Sequence, residues 1–196
     1  MALFYLVRHG TNDVLGKALA ARLPSIHLNA QGVGEARRTA EALKAKGIAR
    51  IISSPMERAY ETAEILAKKI GLHVEISPEV NEIDFGDWSG KTMSDLESLP
   101  GWKLFNSYRS GTRIPNGETM LEVQSRVIRC LENLRKEQPE GTFGVFSHGD
   151  PIKAAIAYYL GVPLDLFTRI EIGPGSYSVL RLEEWGPLVL AVNICP

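Results

Sequence analysis

Arg8-His9-Gly10 and His148-Gly149 are the stretches best suited to covalent chemistry, because each places an imidazole one residue beyond a run of apolar residues. Near neutral pH an unprotonated imidazole can act as a nucleophile or a base. The run Leu3-Phe4-Tyr5-Leu6-Val7 reads as a strand buried on both faces, and Phe143-Gly144-Val145-Phe146-Ser147 reads as another strand with the same ending. In α/β domains ligands bind at the carboxyl ends of parallel strands, so Arg8, His9 and His148 stand where chemistry is expected. Gly10 would let the chain turn sharply and bring its own N–H close to an anion.

A third strand end supplies a second guanidinium. Arg50-Ile51-Ile52-Ser53 is a short strand, and Ser54-Pro55-Met56-Glu57 has the form of a capping box with proline at the first helical position. That start puts Arg58 near the fourth helical position, where a cation opposes the helix dipole at a cost of a few tenths to about 1 kcal/mol. Long helical side chains lean toward the N-terminus, so the guanidinium would point back at the strand ends, where a bound anion offsets the conflict. The plainer alternative is a solvated Arg58 paired with Glu57 or Glu61. A guanidinium grips phosphate oxygens bidentately, so two arginines, two imidazoles and the helix N-termini suit a tetrahedral oxyanion such as phosphate. No cysteine or serine elbow accompanies them, which leaves an imidazole as the nucleophile.

The elements that must position these groups follow from periodicity. Asn29 is an N-cap for a helix from Ala30 to about Lys46, with Val33, Ala36, Ala40 and Leu43 on one face and Gly47 as the stop. The helix begun at Ser54 turns Met56, Ala59, Ala63, Leu66 and Ile70 inward and ends at Gly71. His73 to Ile76 alternates as a third strand. Thr119-Met120-Leu121-Glu122 is a capping box for a helix whose apolar face is Met120, Val123, Val127, Leu131 and Leu134. Asp150-Pro151 reads as N-cap and first residue of a helix to about Leu160, and Ser176–Leu182 and Leu188–Asn193 form a last hairpin turning at Gly186-Pro187. The expected fold is α/β: a three-layer, doubly wound, mostly parallel sheet with helices on both faces, an antiparallel edge and an inserted lid region. Residues 1–196 are expected to form a single domain. The lid spans about 77–118, a stretch rich in Gly and Pro that carries Trp88, Trp102, Phe105 and Tyr108.

Composition limits the partners. The formal charge is −1, from 22 basic and 23 acidic residues, which leaves no overall field for nucleic acid or an anionic membrane. No apolar run approaches the ~20 residues of a membrane span. Cys130 and Cys195 show no ligand spacing, which suits a reduced, cytoplasmic setting.

Arg8-His9-Gly10, the run from Ser53-Ser54-Pro55 through Arg58-Ala59 to Thr62-Ala63, Asn81 to Gly90, Pro115-Asn116-Gly117-Glu118 and Ser147-His148-Gly149 resemble the motifs of the histidine phosphatase superfamily, the phosphoglycerate-mutase-like proteins. The resemblance covers nearly the whole chain. It implies that His9 is phosphorylated in turnover, that Arg8, Arg58 and His148 hold the phosphoryl group, and that Glu82 is the proton donor. Spacing alone leaves Glu79, Glu82, Asp84 and Asp87 equal as donors. It further implies a phosphatase for a small phosphorylated metabolite that needs no metal or cofactor. Leu15 stands where glycolytic mutases of the family usually carry Asn, Trp88-Ser89-Gly90 replaces the frequent Trp-Glu-Gly, and the chain is short for that branch. These departures lean away from a mutase. A non-catalytic phospho-ligand binder would not need the acid, and a metal site of His9, His148, Asp150 and Glu82 would set a cation against Arg8 and Arg58.

Overall fold

A computed structural model describes residues 1–196. In chain order the elements are β1 (Ala2–Arg8), α1 (Ala30–Leu43), β2 (Arg50–Ser53), α2 (Glu57–Ile70), β3 (Val74–Ile76), α3 (Met93–Glu97), α4 (Pro100–Ser107), α5 (Met120–Glu137), β4 (Thr142–Ser147), α6 (Gly149–Leu160), β5 (Tyr177–Leu182) and β6 (Pro187–Ile194). The sheet order is β3-β2-β4-β1-β5-β6. Its first four strands run parallel, while β5 joins β1 and β6 joins β5 in the antiparallel sense. The expected α/β architecture, with helices around a mostly parallel sheet, is therefore the observed one.

The pleat of β1 shows how the layers are divided. Tyr5 and Val7 pack with Ala40 and Leu43 of α1 and Ala63 and Leu66 of α2. The alternate residues Phe4 and Leu6 pack on the opposite side with Val127 and Leu131 of α5 and Ile152 and Ile156 of α6. A strand covered on both faces has no polar position to alternate with, so it reads as a continuous apolar run. Because β1, β2 and β4 are parallel, their carboxyl ends open on the same edge, and register pairs Arg8 with Ser147 across β1 and β4.

Three helix boundaries depart from expectation. At α2 the N-cap is Met56 rather than Ser54, so Pro55 lies outside the helix and Arg58 occupies its second position. The Ser54 hydroxyl bonds the Asn81 and His148 side chains, partners far away in sequence, instead of closing a capping box. The last helix starts two residues early, with His148 as its N-cap, which places Asp150 inside the first turn. At the other end of α1 the helix stops at Leu43, before the left-handed turn at Gly47. The capping box at Thr119 and Glu122 forms as its residues dictate.

The expected lid stretch is ordered, and part of it packs into the core. Residues 77–118 hold α3, α4 and the 3-10 turns Pro78–Val80 and Gly86–Trp88. Trp88 and Phe105 are buried with Phe85, Ile83 and Leu96 against Met120 and Val123 of α5 and Ala154 and Ala157 of α6. The rings meet edge to face, Trp88 to Phe105 at 5.6 Å and Phe85 to Phe105 at 6.2 Å between centroids. These aromatics had nonlocal apolar faces to cover, which the irregular local pattern did not reveal. No helix is long and apolar enough to cross a membrane.

Candidate active site

Arg8 and His9 leave the end of β1, and two contacts fix the turn that follows. The Gly10 N–H donates to Thr62 Oγ1 on α2 at 3.1 Å. A Cβ on Gly10 would collide with the Gly32 carbonyl at the start of α1. Gly10 is thus required by close packing of α1, and its N–H is engaged by Thr62 rather than offered to an anion, contrary to the expectation from sequence.

His9 is buried, and its Nδ1 lies 2.7 Å from its neighbour's carbonyl, Gly10 O. Only a protonated Nδ1 can make that bond, so Nε2 carries the lone pair. Arg58 Nε donates to this Nε2 at 3.3 Å. Burial, then the charges of Arg58 and Arg8, push the His9 pKa well below the ordinary imidazole range. A neutral His9 therefore presents an unshared electron pair on Nε2.

His148 is fully buried beside it, the two rings 5.1 Å apart between centroids. Its tautomer follows from a chain of bonds. The Glu82 N–H donates to Asn81 Oδ1 at 2.8 Å, which fixes the amide orientation. The Ser54 hydroxyl must then give its one proton to Asn81 Oδ1, 3.0 Å away. His148 Nε2, 2.8 Å from Ser54 Oγ, can only donate. The His148 Nδ1 lone pair therefore faces Arg58 Nη2 at 3.2 Å. Burial and the surrounding cations, Arg58 first, keep this imidazole neutral as well.

Arg58 does not point to solvent, and it pairs with neither Glu57 nor Glu61. It is 1% exposed, and Nη2 donates to Ala21 O at 2.8 Å. Arg8 Nη1 donates to Ile172 O at 2.5 Å. One N–H group of each remains buried with no partner, Arg8 Nε and Arg58 Nη1. Arg109 and Arg181 also carry buried guanidinium nitrogens with no hydrogen-bond partner, but only those of Arg8 and Arg58 lie at the cleft beside an unprotonated imidazole, where an anion can complete the bonding.

Glu82 enters the same cleft from the turn after Pro78–Val80. Its Oε2 lies 3.6 Å from His148 Nδ1 and its Oε1 accepts from the Ile83 N–H at 2.9 Å. Burial and the neighbouring Asp150 raise its pKa to about 7, against the opposing pull of Arg58, the Ile83 N–H and Arg8. The other carboxylates of that loop are engaged elsewhere: Glu79 with Arg129, Asp84 with Arg22 and the Gly86 N–H, and Asp87 with Asn116. The cleft, about 200 Å³, is lined by Arg8, His9, Arg58, Glu82, Asn12 and Asp150 among others, and Gly149 opens α6 at its wall. His148 lies just beneath this lining.

Several contributors were missed in the sequence. Arg126 donates to the carbonyls of Glu79, Asn81 and Glu82 and to the Glu118 carboxylate. Arg22 reaches Glu82 O at 2.8 Å and Glu118 Oε2 at 2.8 Å. Glu118 joins both arginines beneath the loop that carries Glu82. Arg126 sat unnoticed beside an apolar helix face, and only its nine-tenths burial signals a role. Arg113 pairs with Glu122.

An α/β scaffold whose strand ends bring two arginines and two neutral imidazoles to one cleft has the chemistry to receive an oxyanion. The chain belongs to the histidine phosphatase superfamily (branch 1), whose family model matches residues 4–195. It is a phosphoric monoester hydrolase. Phosphoserine phosphatase 1 of Hydrogenobacter thermophilus is 31% identical over 196 residues, covering 99% of this chain and 93% of its own. A probable phosphoglycerate mutase, GpmB of an Enterobacter species, is 32% identical over 92% of this chain and 85% of its own. A phosphoserine phosphatase variant from Entamoeba histolytica, solved in complex with phosphoserine, superposes with a TM-score of 0.88 at 26% identity, covering 98% of this chain and 97% of that one.

Proposed function

We propose that this protein, acting as one domain, hydrolyses a small phosphorylated metabolite through a phosphohistidine on His9, without a metal ion. The observation that carries the proposal is the pair of orphaned donors, Arg8 Nε and Arg58 Nη1, beside the unprotonated His9 Nε2. In this reading Arg8, Arg58 and His148 hold the phosphoryl group. His9 Nε2 attacks phosphorus in line with the leaving oxygen, and the guanidinium groups stabilise charge on the equatorial oxygens. A bound dianion also favours protonation of His148, turning Nδ1 from acceptor to donor toward a phosphoryl oxygen.

Glu82 gives its proton to the departing alkoxide. A pKa of about 7 leaves a large protonated fraction at neutral pH, and an adjacent phosphate dianion raises that fraction further. The resulting carboxylate then takes a proton from water as the water oxygen attacks the phosphohistidine. Inorganic phosphate leaves, and both His9 and Glu82 return to their starting forms. The arginines supply the positive charge that a metal supplies elsewhere. Two unpaired cysteines, Cys130 and Cys195, agree with a cytoplasmic setting.

The phosphoglycerate mutase reading shares the first half-reaction and differs in the fate of the phosphoryl group. One preparation assayed for phosphate release and for interconversion of 3-phosphoglycerate and 2-phosphoglycerate separates them. We expect release to dominate and to survive EDTA. Rapid interconversion with negligible release would replace hydrolase by mutase, and loss of activity in EDTA would remove the metal-free step.

A further inference from the structure

Beyond the phosphate-holding end, the cleft has a one-sided lining. Leu15, Ala18, Leu19, Phe85 and Met93 form an apolar wall. The cations in the lining are Arg8 and Arg58, which face His9, and the remaining charged residues are two acids, Glu82 and Asp150. The nearby Arg109 does not change this balance. Its guanidinium is clamped between the rings of Phe105 and Phe167, 4.5 and 4.6 Å from their centroids, and its Nη1 lies 3.5 Å from Asp150. Arg22 is bound to Glu82 O and Glu118. An organic group attached to the phosphate therefore meets apolar side chains, two carboxylates and the Asn12 amide. Within the lining it meets no cation beyond the two that face the phosphate, and Arg109, whose Nε and Nη1 lack hydrogen-bond partners, stands outside that lining behind Asp150.

Resting on the phosphatase reading above, we infer that this enzyme selects phosphomonoesters whose alcohol is short and uncharged, and discriminates against phosphorylated hydroxy acids. A substrate carboxylate placed in this wall would lose water without gaining a cationic partner, and it would sit beside two acids. An alkyl group loses nothing by the same transfer and gains apolar contact. The volume of about 200 Å³ matches a phosphoryl group and a few carbon atoms. The two curated relatives bear names that refer to phosphorylated acids, so the inference separates this chain from them.

The test compares n-butyl phosphate with 3-phosphoglycerate, two esters of primary alcohols, by kcat/KM for phosphate release. We expect the butyl ester to be preferred by ~10-fold or more. Leu15 is 37% exposed at the edge of the wall, so Leu15→Lys leaves the core intact and adds the missing cation. In that variant the ratio should shift toward 3-phosphoglycerate by ~3- to 5-fold. Equal or faster hydrolysis of 3-phosphoglycerate by the unaltered protein overturns the inference and leaves the phosphatase reading standing. An unmoved ratio in Leu15→Lys overturns it too, because the wall would then not face the substrate. Hydrolysis of neither ester overturns the phosphatase reading, and the inference with it.

Discussion

Glu118→Gln tests whether the buried network holds the proposed acid in place. Glu118 accepts four donors on two oxygens: Arg22 Nη2 at 2.8 Å, the Asp84 N–H at 2.9 Å, Arg126 Nε at 2.9 Å and Arg126 Nη2 at 3.0 Å. Glutamine keeps the shape and one acceptor oxygen, but sets an NH₂ against donors and removes the charge between two arginines. Losing charge-assisted bonds at a site this enclosed should cost roughly 2–3 kcal/mol, which urea denaturation measures. Burial raises the Glu118 pKa, but the bonds from Arg126 and the Asp84 N–H outweigh it and hold the group below its usual value. A depressed folded-state pKa contributes stability above the unfolded pKa and loses it as pH falls through the folded one. The gap between the two proteins should therefore narrow in acid.

The catalytic readout separates positioning from general damage. Arg22 and Arg126 both grip Glu82 O, so releasing them lets the acid drift, and an error near 1 Å can cost ~100-fold. That loss should fall on n-butyl phosphate, whose leaving alkoxide needs a proton. It should largely spare p-nitrophenyl phosphate, whose leaving group does not. Equal losses on both esters in folded protein would refute the reasoning, as would no loss on either.

Asp150→Asn removes one of the two causes that raise Glu82. The Glu82 pKa should drop below about 7, so kcat for an alkyl ester should begin to fall at lower pH on the alkaline side; an unmoved limb would detach Asp150 from the acid. Arg58→Lys keeps the charge and loses the fork, and kcat/KM should fall by ~100-fold, a loss of ~2.7 kcal/mol. Because Arg58 is buried and bonds Ala21 O, we also expect a stability loss of about 1 kcal/mol by thermal or urea unfolding; near-native activity would make Arg58 dispensable. Phe105→Ala should cost ~3–5 kcal/mol in urea unfolding, since Phe105 is fully buried, whereas a change below about 1 kcal/mol would show that Phe105 does not anchor the 77–118 stretch to the core.

These cases show where the sequence was legible and where it was not. Arg8, His9 and His148 were readable because strand ends in a parallel sheet share one edge, and both runs are strongly apolar. Arg58 was readable from its conflict with the helix dipole, though it lies two positions nearer the start than the capping pattern implied. Ser54 misled because a local pattern, serine followed by glutamate three residues on, lost to partners at Asn81 and His148. Glu82 was singled out by family resemblance alone. Its distinction from Glu79, Asp84 and Asp87 lies in which of them the arginines and Asn116 already hold. The network of Arg22, Glu118 and Arg126 joins segments up to 96 residues apart, and no local spacing announces it.

The central claim is the covalent step at His9 Nε2. Rapid quench of the protein with ³²P-labelled n-butyl phosphate, followed by peptide mapping, tests it most directly. An acid-labile, base-stable phosphoryl group should appear on the peptide carrying His9, formed and lost at rates that support turnover, and absent in His9→Ala. Label on serine or cysteine, or turnover in His9→Ala at the rate of the unaltered protein, would contradict it.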